Sequence, residues 1–239
     1  MARALPLLLL SSGCVHVNEA LNAEINAAVT GNTANQISDG VFPLVRSTWK
    51  VGQWSKSAVR MGDIWSYSTV KVVGKEGDHF WLETEIHDAQ RSDSENPQVM
   101  KMLIKGYDAA RPESVLSLEI GAVIHQSGQA DPVLLPPFVG PMAAGPFMSM
   151  MSMDFSNGAA DTVVVPAGTF NNATKVHTTT KIGPLKFTGD YWVHSEVPIW
   201  GIVKSFSDDG DSEAVLLSFG ETGAKSVITK SVIGMPAGN

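Results

Sequence analysis

Residues 162–206, TVVVPAGTFNNATKVHTTTKIGPLKFTGDYWVHSEVPIWGIVKSF, decide the fold. The stretch alternates apolar and polar residues, breaks at Pro166-Ala167-Gly168 and at Gly183-Pro184, and resumes the alternation after each break. A period of two bounded by turn residues is the pattern of strands in an antiparallel sheet. Ala173, Lys175, His177, Thr179 and Lys181 fall on one face, and Thr174, Val176, Thr178, Thr180 and Ile182 on the other. β-Branched residues dominate, and they fit a pleated, half-buried surface. Pro166 has no ladder donor to give, which puts it at a strand end. Trp192, Trp200 and Phe206 are the large apolar anchors of the run.

Working outward, the same pattern covers most of the chain. It begins at Trp49 and Trp54, around Gly52, and runs from Ile64 to Val73. Gly74-Lys75-Glu76-Gly77-Asp78 reads as a hairpin turn. In the next strand Phe80, Leu82, Thr84 and Ile86 share a face, opposite His79, Trp81, Glu83, Glu85 and His87. Further strands are expected at Val99–Lys105, Val115–Gln126, Glu213–Phe219 and Ser226–Ile233, with charged residues 90–98 as a loop. Residues 131–153 break the pattern with five prolines and end in a methionine cluster. The expected fold is mainly β: a single antiparallel curved sheet, a half-barrel or open barrel, of about nine to eleven strands. A few short helices accompany it. Leu21, Ile25 and Val29 recur every fourth residue after Asn18, which predicts one of them, N-capped by Asn18.

The N-terminus reads MARALPLLLLSSGC. One basic residue, a short apolar run and small residues make a secretory signal, too short to span a bilayer core of about 30 Å. Cys14 is the only cysteine of the chain. The segment resembles a bacterial lipobox, with Ser11 where an aliphatic residue is usual. The resemblance implies cleavage before Cys14 and lipidation of its thiol and new amine. The division expected is 1–13 signal, 14–44 lipidated tether with a short helix, and 45–239 the β domain. Val15, in place of an aspartate after the cysteine, implies passage onward to the outer membrane, facing the periplasm.

The order VPAGTF, strand, GDYWVHSEVPIWGIVK resembles the C-terminal half of LolA-like periplasmic proteins. The segments WKVGQWSKSAVR and GDIWSYSTVKVVGKEGDHFWLETEI resemble the first strands of bacterial envelope lipoproteins. These resemblances imply a curved sheet and a lipid or lipoprotein acyl chain as ligand.

The 239 residues suffice for one large β domain. With 17 basic and 24 acidic residues the net charge is −7, which excludes a protein built to follow phosphate backbones, so no nucleic acid is expected as a partner. The membrane, reached through the lipid on Cys14, is the expected partner. The six histidines are scattered and no HExxH, paired cysteine, GxSxG, phosphate loop or GxGxxG pattern is present, so no metal, no cofactor and no enzyme activity is expected. Glu83, Glu85 and His87 lie on one strand face, where two carboxylates and an imidazole suit a metal or acid–base work. A solvated outer face has the same pattern and is the commoner meaning. Phe147, Met148, Met150, Met151 and Met153 suit an adaptable lid over an apolar ligand, plain packing, or soft ligation of copper(I). The reading taken from the sequence is non-catalytic binding of an apolar or amphipathic ligand, with docking of another envelope protein as the alternative.

Overall fold

Every pairing within the sheet is antiparallel, and the strand order follows from hairpins. A computed structural model describes residues 17–31, 35–42, 48–90, 96–108, 110–111, 114, 118–139, 142, 145, 153–182 and 185–234. Among these, one sheet holds eleven strands. They are β1 (Trp54–Met61), β2 (Ile64–Glu76), β3 (His79–Asp88), β4 (Gln98–Lys105), β5 (Glu119–Ser127) and β6 (Val133–Leu134), then β7 (Ala159–Val165), β8 (Gly168–Ile182), β9 (Leu185–Val193), β10 (Ile202–Ser207) and β11 (Ser212–Gly220). The order across the sheet is β6-β5-β4-β3-β2-β1-β11-β10-β9-β8-β7. Six strands step outward from β1, and five step back to meet it at β11. Sequential neighbours pair at every step but one, as short connections favour. The β1–β11 ladder closes the chain in mid-sheet, and β6 and β7 are left as the two edges. The sheet is open, and β7 lies back against β10 and β11, so that end curls.

The decisive stretch behaves as its pattern dictates. β7 stops at Val165, Pro166 stands in the turn, and Gly168 resumes the chain at φ +147°. Gly77 supplies the φ of +57° that the tight β2–β3 turn requires. β8 sends Thr174 and Val176 to the face holding Met153 and Phe155, and Lys175 and His177 to an ion-paired outer face. Of the three expected anchors, Trp200 is buried. Trp192 is partly buried, its indole N–H donating to Asp161 at 2.8 Å. Phe206 is 41% exposed, because it shares its face with its neighbours Asp190 and Glu213.

The apolar interior falls into linked clusters. The largest joins Val72, Phe80, Leu82, Met102, Ile104 and Val123 of β2–β5 to Trp49, Ile199 and Trp200. The β9–β10 connection thus folds over the first half of the sheet, and the Trp49 indole N–H donates to the Ile199 carbonyl at 3.4 Å. Ile199 holds this place at φ +70°, a strained value for a β-branched residue. A second cluster, with Phe170, Val203 and Leu216, fills the curled end.

The described residues contain one helix with defined ends, α1 (Glu19–Thr30), where a few short helices are expected from the sequence. Asn18 caps it by accepting from the Leu21 N–H at 3.0 Å. Ile25 is fully buried against Ala58, Trp65 and Tyr67, with Leu21 and Val29 beside it, so the amphipathic face packs on β1 and β2. Beyond the helix the chain pairs with β8: Ile37 donates to Thr169, Thr169 to Asn35, and Gly40 to Asn171.

The expected strand at Ser226–Ile233 is a strap instead. Its polar groups are satisfied by side chains and turns rather than by a ladder. The Ala224 N–H donates to Gly52, Val227 to Glu83, and Ile233 to Pro132 beside the β6 edge. The only sheet pairing it makes is one parallel bridge, Val133 to Ile233.

A polar cleft with an aromatic floor

Two turns at one end of the sheet enclose an open cleft of about 610 Å³. The β2–β3 turn supplies Lys75, Asp78, His79 and Phe80. The segment after β4 supplies Gly106, Tyr107, Asp108, Ala110 and Arg111, and Thr48 closes the side. Its volume is within the range of small-molecule sites, about 300–1,000 Å³.

The floor is rigid and aromatic. Tyr107 stacks on the buried Trp49, with ring centres 3.9 Å apart and planes 11° from parallel. Phe80 meets Trp49 edge-on at 5.8 Å and Tyr107 edge-on at 6.3 Å. Such pairs prefer offset and edge-to-face geometry, and each side chain has few rotatable bonds to order. Lys75 reaches over Phe80, its Nζ 5.3 Å from the ring centre.

The rim carries charge of both signs. The Arg111 guanidinium donates to Asp108 at 2.7 Å, and the Ala110 N–H donates to the same carboxylate at 3.0 Å. The arginine first, and that N–H second, hold Asp108 below the usual aspartate range. Lys75 lies 3.9 Å from the exposed Asp78. His79 lines the cleft, and its Nδ1 is buried without a hydrogen-bond partner. An unsatisfied buried nitrogen costs free energy. With two cations and two carboxylates beside His79, the rim has no large net charge to select a simple ion.

The residues singled out in the sequence lie elsewhere. Cys14, Phe147, Met148, Met150 and Met151 lie outside the described residues. Met153 is buried with Phe155 against Val176 and Val193. Glu83, Glu85 and His87 share one face of β3, but the face is not solvated. Glu83 is fully buried, accepting from the Val227 N–H at 2.9 Å and from the Ser226 hydroxyl, with Lys71 Nζ at 3.8 Å. Lys71 also donates to Glu85, whose carboxylate accepts from His87 Nε2 at 3.2 Å. The His87 hydrogen bond, then that from Lys71, pulls Glu85 down to about 2, against the partial burial that opposes it. Among the described residues, no group of three or more His, Cys, Asp or Glu is placed to hold a metal ion. Glu83 clamps the C-terminal strap to the sheet, and Glu85 shares Lys71 with it. Sequence reading missed the cleft because its residues come from segments 48, 75–80 and 106–111 with no shared motif. The aromatic trio at 49, 80 and 107 was the only signal available.

A hydrophobic exposure marks the other sheet edge. Val133, Leu134 and Ile233 are exposed around β6, and just beyond it Phe138 is 77% and Met142 79% exposed.

No protein-family model matches the chain. No curated protein matches it either. Solved structures similar to it include one from Bacteroides fragilis described as an exported protein with a YmcC-like fold. It is 14% identical, with a TM-score of 0.30, covering 72% of this chain and 96% of that one. Another, described as a lipoprotein from Parabacteroides distasonis, is 14% identical with a TM-score of 0.31, covering 77% of this chain and 100% of that one. Neither is described as LolA-like. Likeness at that level fixes neither a family nor a ligand.

Proposed function

We propose that the protein is a lipid-anchored component of a bacterial envelope, held at the outer membrane through Cys14, that binds a small amphipathic ligand without chemical conversion. The observation that supports binding is the cleft: a rigid aromatic floor of Tyr107 and Phe80 beneath a rim of Lys75, His79, Asp108 and Arg111. The flat or apolar part of a ligand lies on the rings, and its polar part meets the paired charges. The described interior of the sheet carries buried apolar clusters, and the ligand of this proposal enters from the rim. The sequence-based lid at Phe147–Met153 belongs to this proposal as a second element. The test is native mass spectrometry of the delipidated domain purified from a periplasm, followed by titration with a fluorescent fatty acid. Tyr107→Ala and Arg111→Glu should each weaken binding at least tenfold; Arg111→Glu should leave Tm nearly unchanged, whereas Tyr107→Ala should also lower it through the lost stack on Trp49. Unchanged binding in both removes the cleft from the function. Replacing Met148, Met150 and Met151 together with Ser tests the lid in the same assay.

A second reading rests on the exposed apolar residues near β6. Val133, Leu134, Phe138 and Met142 favour docking of another envelope protein at this edge. Crosslinking from Phe138 in cells distinguishes the two readings.

A further inference from the structure

The start of the helix fixes where a lipid on Cys14 must leave the domain. The Asn18 N–H donates to the Ala89 carbonyl at 2.7 Å, directly after the end of β3. The Asn22 side chain, one turn on, accepts from the Trp65 N–H at 2.8 Å, at the start of β2. Glu24 accepts from the Tyr67 hydroxyl at 3.0 Å, and Ile25 is buried below it. The first turn of α1 is thus fastened at the end of the sheet that carries the β1–β2 turn. From Cys14 to Asn18 is four residues, a reach of at most about 14 Å.

The cleft lies at the other end. It is built on the β2–β3 turn, whereas the β1–β2 turn lies at the opposite end of β2. β2 has 13 residues, so the two turns stand roughly 40 Å apart. We propose that the bilayer meets the end of the sheet with the β1–β2 turn, and that the cleft faces away from it. This rests on the anchor reading above. The ligand then reaches the cleft from the aqueous compartment or from a carrier, not by lateral entry from the bilayer that holds the protein. The described turns at the membrane end carry Asp63, Asp131, Asp208, Asp209 and Asp211, with Arg60, Lys181, Lys186 and Lys230 near the same end. Interspersed charges of both signs make neither an apolar insertion surface nor a basic patch for anionic lipid, so attachment resides in the acyl chains and orientation in the short tether.

The experiment uses the full lipidated protein reconstituted in phosphatidylcholine vesicles that contain an acceptor-labelled lipid. Single donors are placed by maleimide at Asp63→Cys, in the β1–β2 turn, or at Glu76→Cys, at the far end of β2. Both sites are exposed, and circular dichroism checks each fold. Energy transfer should be several-fold greater from position 63. A Gly/Ser insertion of about 20 residues between Cys14 and Asn18 should bring the two sites close to parity. Equal or reversed transfer in the parent protein overturns the orientation while leaving the anchor intact. Unequal transfer that survives the long insertion also overturns it, because the tether is then not what orients the domain. Protein that fails to bind the vesicles overturns the anchor reading itself, and this proposal with it.

Discussion

The two faces of β3 are both covered, and by opposite chemistry. On one face Phe80 and Leu82 pack with Val72, Met102 and Ile104 beneath Trp49 and Trp200. On the other, Glu83 and Glu85 meet Lys71 and His87 beneath the strap at Ser226 and Val227. The apolar face is held by area removed from water, at about 25 cal/mol per Å². The ionic face is tolerated because each carboxylate oxygen has a donor; a buried carboxylate without partners would cost several kcal/mol. The difference teaches that strand alternation separates faces but does not reveal what lies on them.

The sharpest way to break this comparison is Glu83→Ala. It leaves Lys71 with one carboxylate and strips the Val227 N–H and Ser226 hydroxyl of their acceptor. A loss of about 3–5 kcal/mol is expected in urea unfolding, with earlier proteolysis after residue 220. A loss under about 1 kcal/mol would show that the strap is not held by this carboxylate. Glu83→Gln should recover part of the loss.

Leu82→Ala, on the opposite face, should cost about 2–5 kcal/mol and leave the strap resistant to protease. If it frees the strap as readily as Glu83→Ala, the two faces are not independent.

Of the two faces of β3, acid should act on the ionic one. Glu85 titrates near 2 in the fold against 4.5 ordinarily. As pH falls the unfolded chain takes up this proton first, so the contribution is full above 4.5 and is lost towards 2, by at most roughly 3 kcal/mol. Glu85→Gln should flatten that limb of a stability–pH curve.

Alkali acts on the helix contact. Tyr67 is pushed up to about 12, first by burial and then by its hydrogen bond to Glu24. Its neutral form is the one favoured in the fold, so the contribution is full below pH 10 and is lost as pH rises towards 12. The size is roughly 2 kcal/mol, and Tyr67→Phe should remove the dependence. Absorbance titration at alkaline pH should show a late phenol that Tyr67→Phe removes.

The smallest effect belongs to the outer face of β9. Trp192→Phe keeps most of the ring's packing against the second apolar cluster and removes its hydrogen bond to Asp161, about 1 kcal/mol by thermal melt.

Much of the fold was legible, because alternation and turn residues are local. The breaks at Pro166 and Gly77, the Asn18 cap and the Leu21-Ile25-Val29 stripe each carry their own cause within a few residues. The Ser226–Ile233 pattern misled because an extended strap and a strand share the same local backbone. The meaning of Glu83 was hidden because its partners, Ser226 and Val227, lie 143 and 144 residues away. The cleft was hidden for the same reason: Trp49, Phe80 and Tyr107 are each unremarkable alone, and only the stack makes a floor.

Local pattern alone specifies an antiparallel sheet, its faces and its main turns. Those are consequences of period, of proline's missing donor and of glycine's freedom at positive φ, all set within a few bonds. The tertiary structure alone decided that β1 and β11 meet in mid-sheet, that Glu83 clamps the tail, and that the helix starts at the end opposite the cleft. Those arrangements depend on contacts between distant segments, whose free energy is gained only when the whole sheet is assembled.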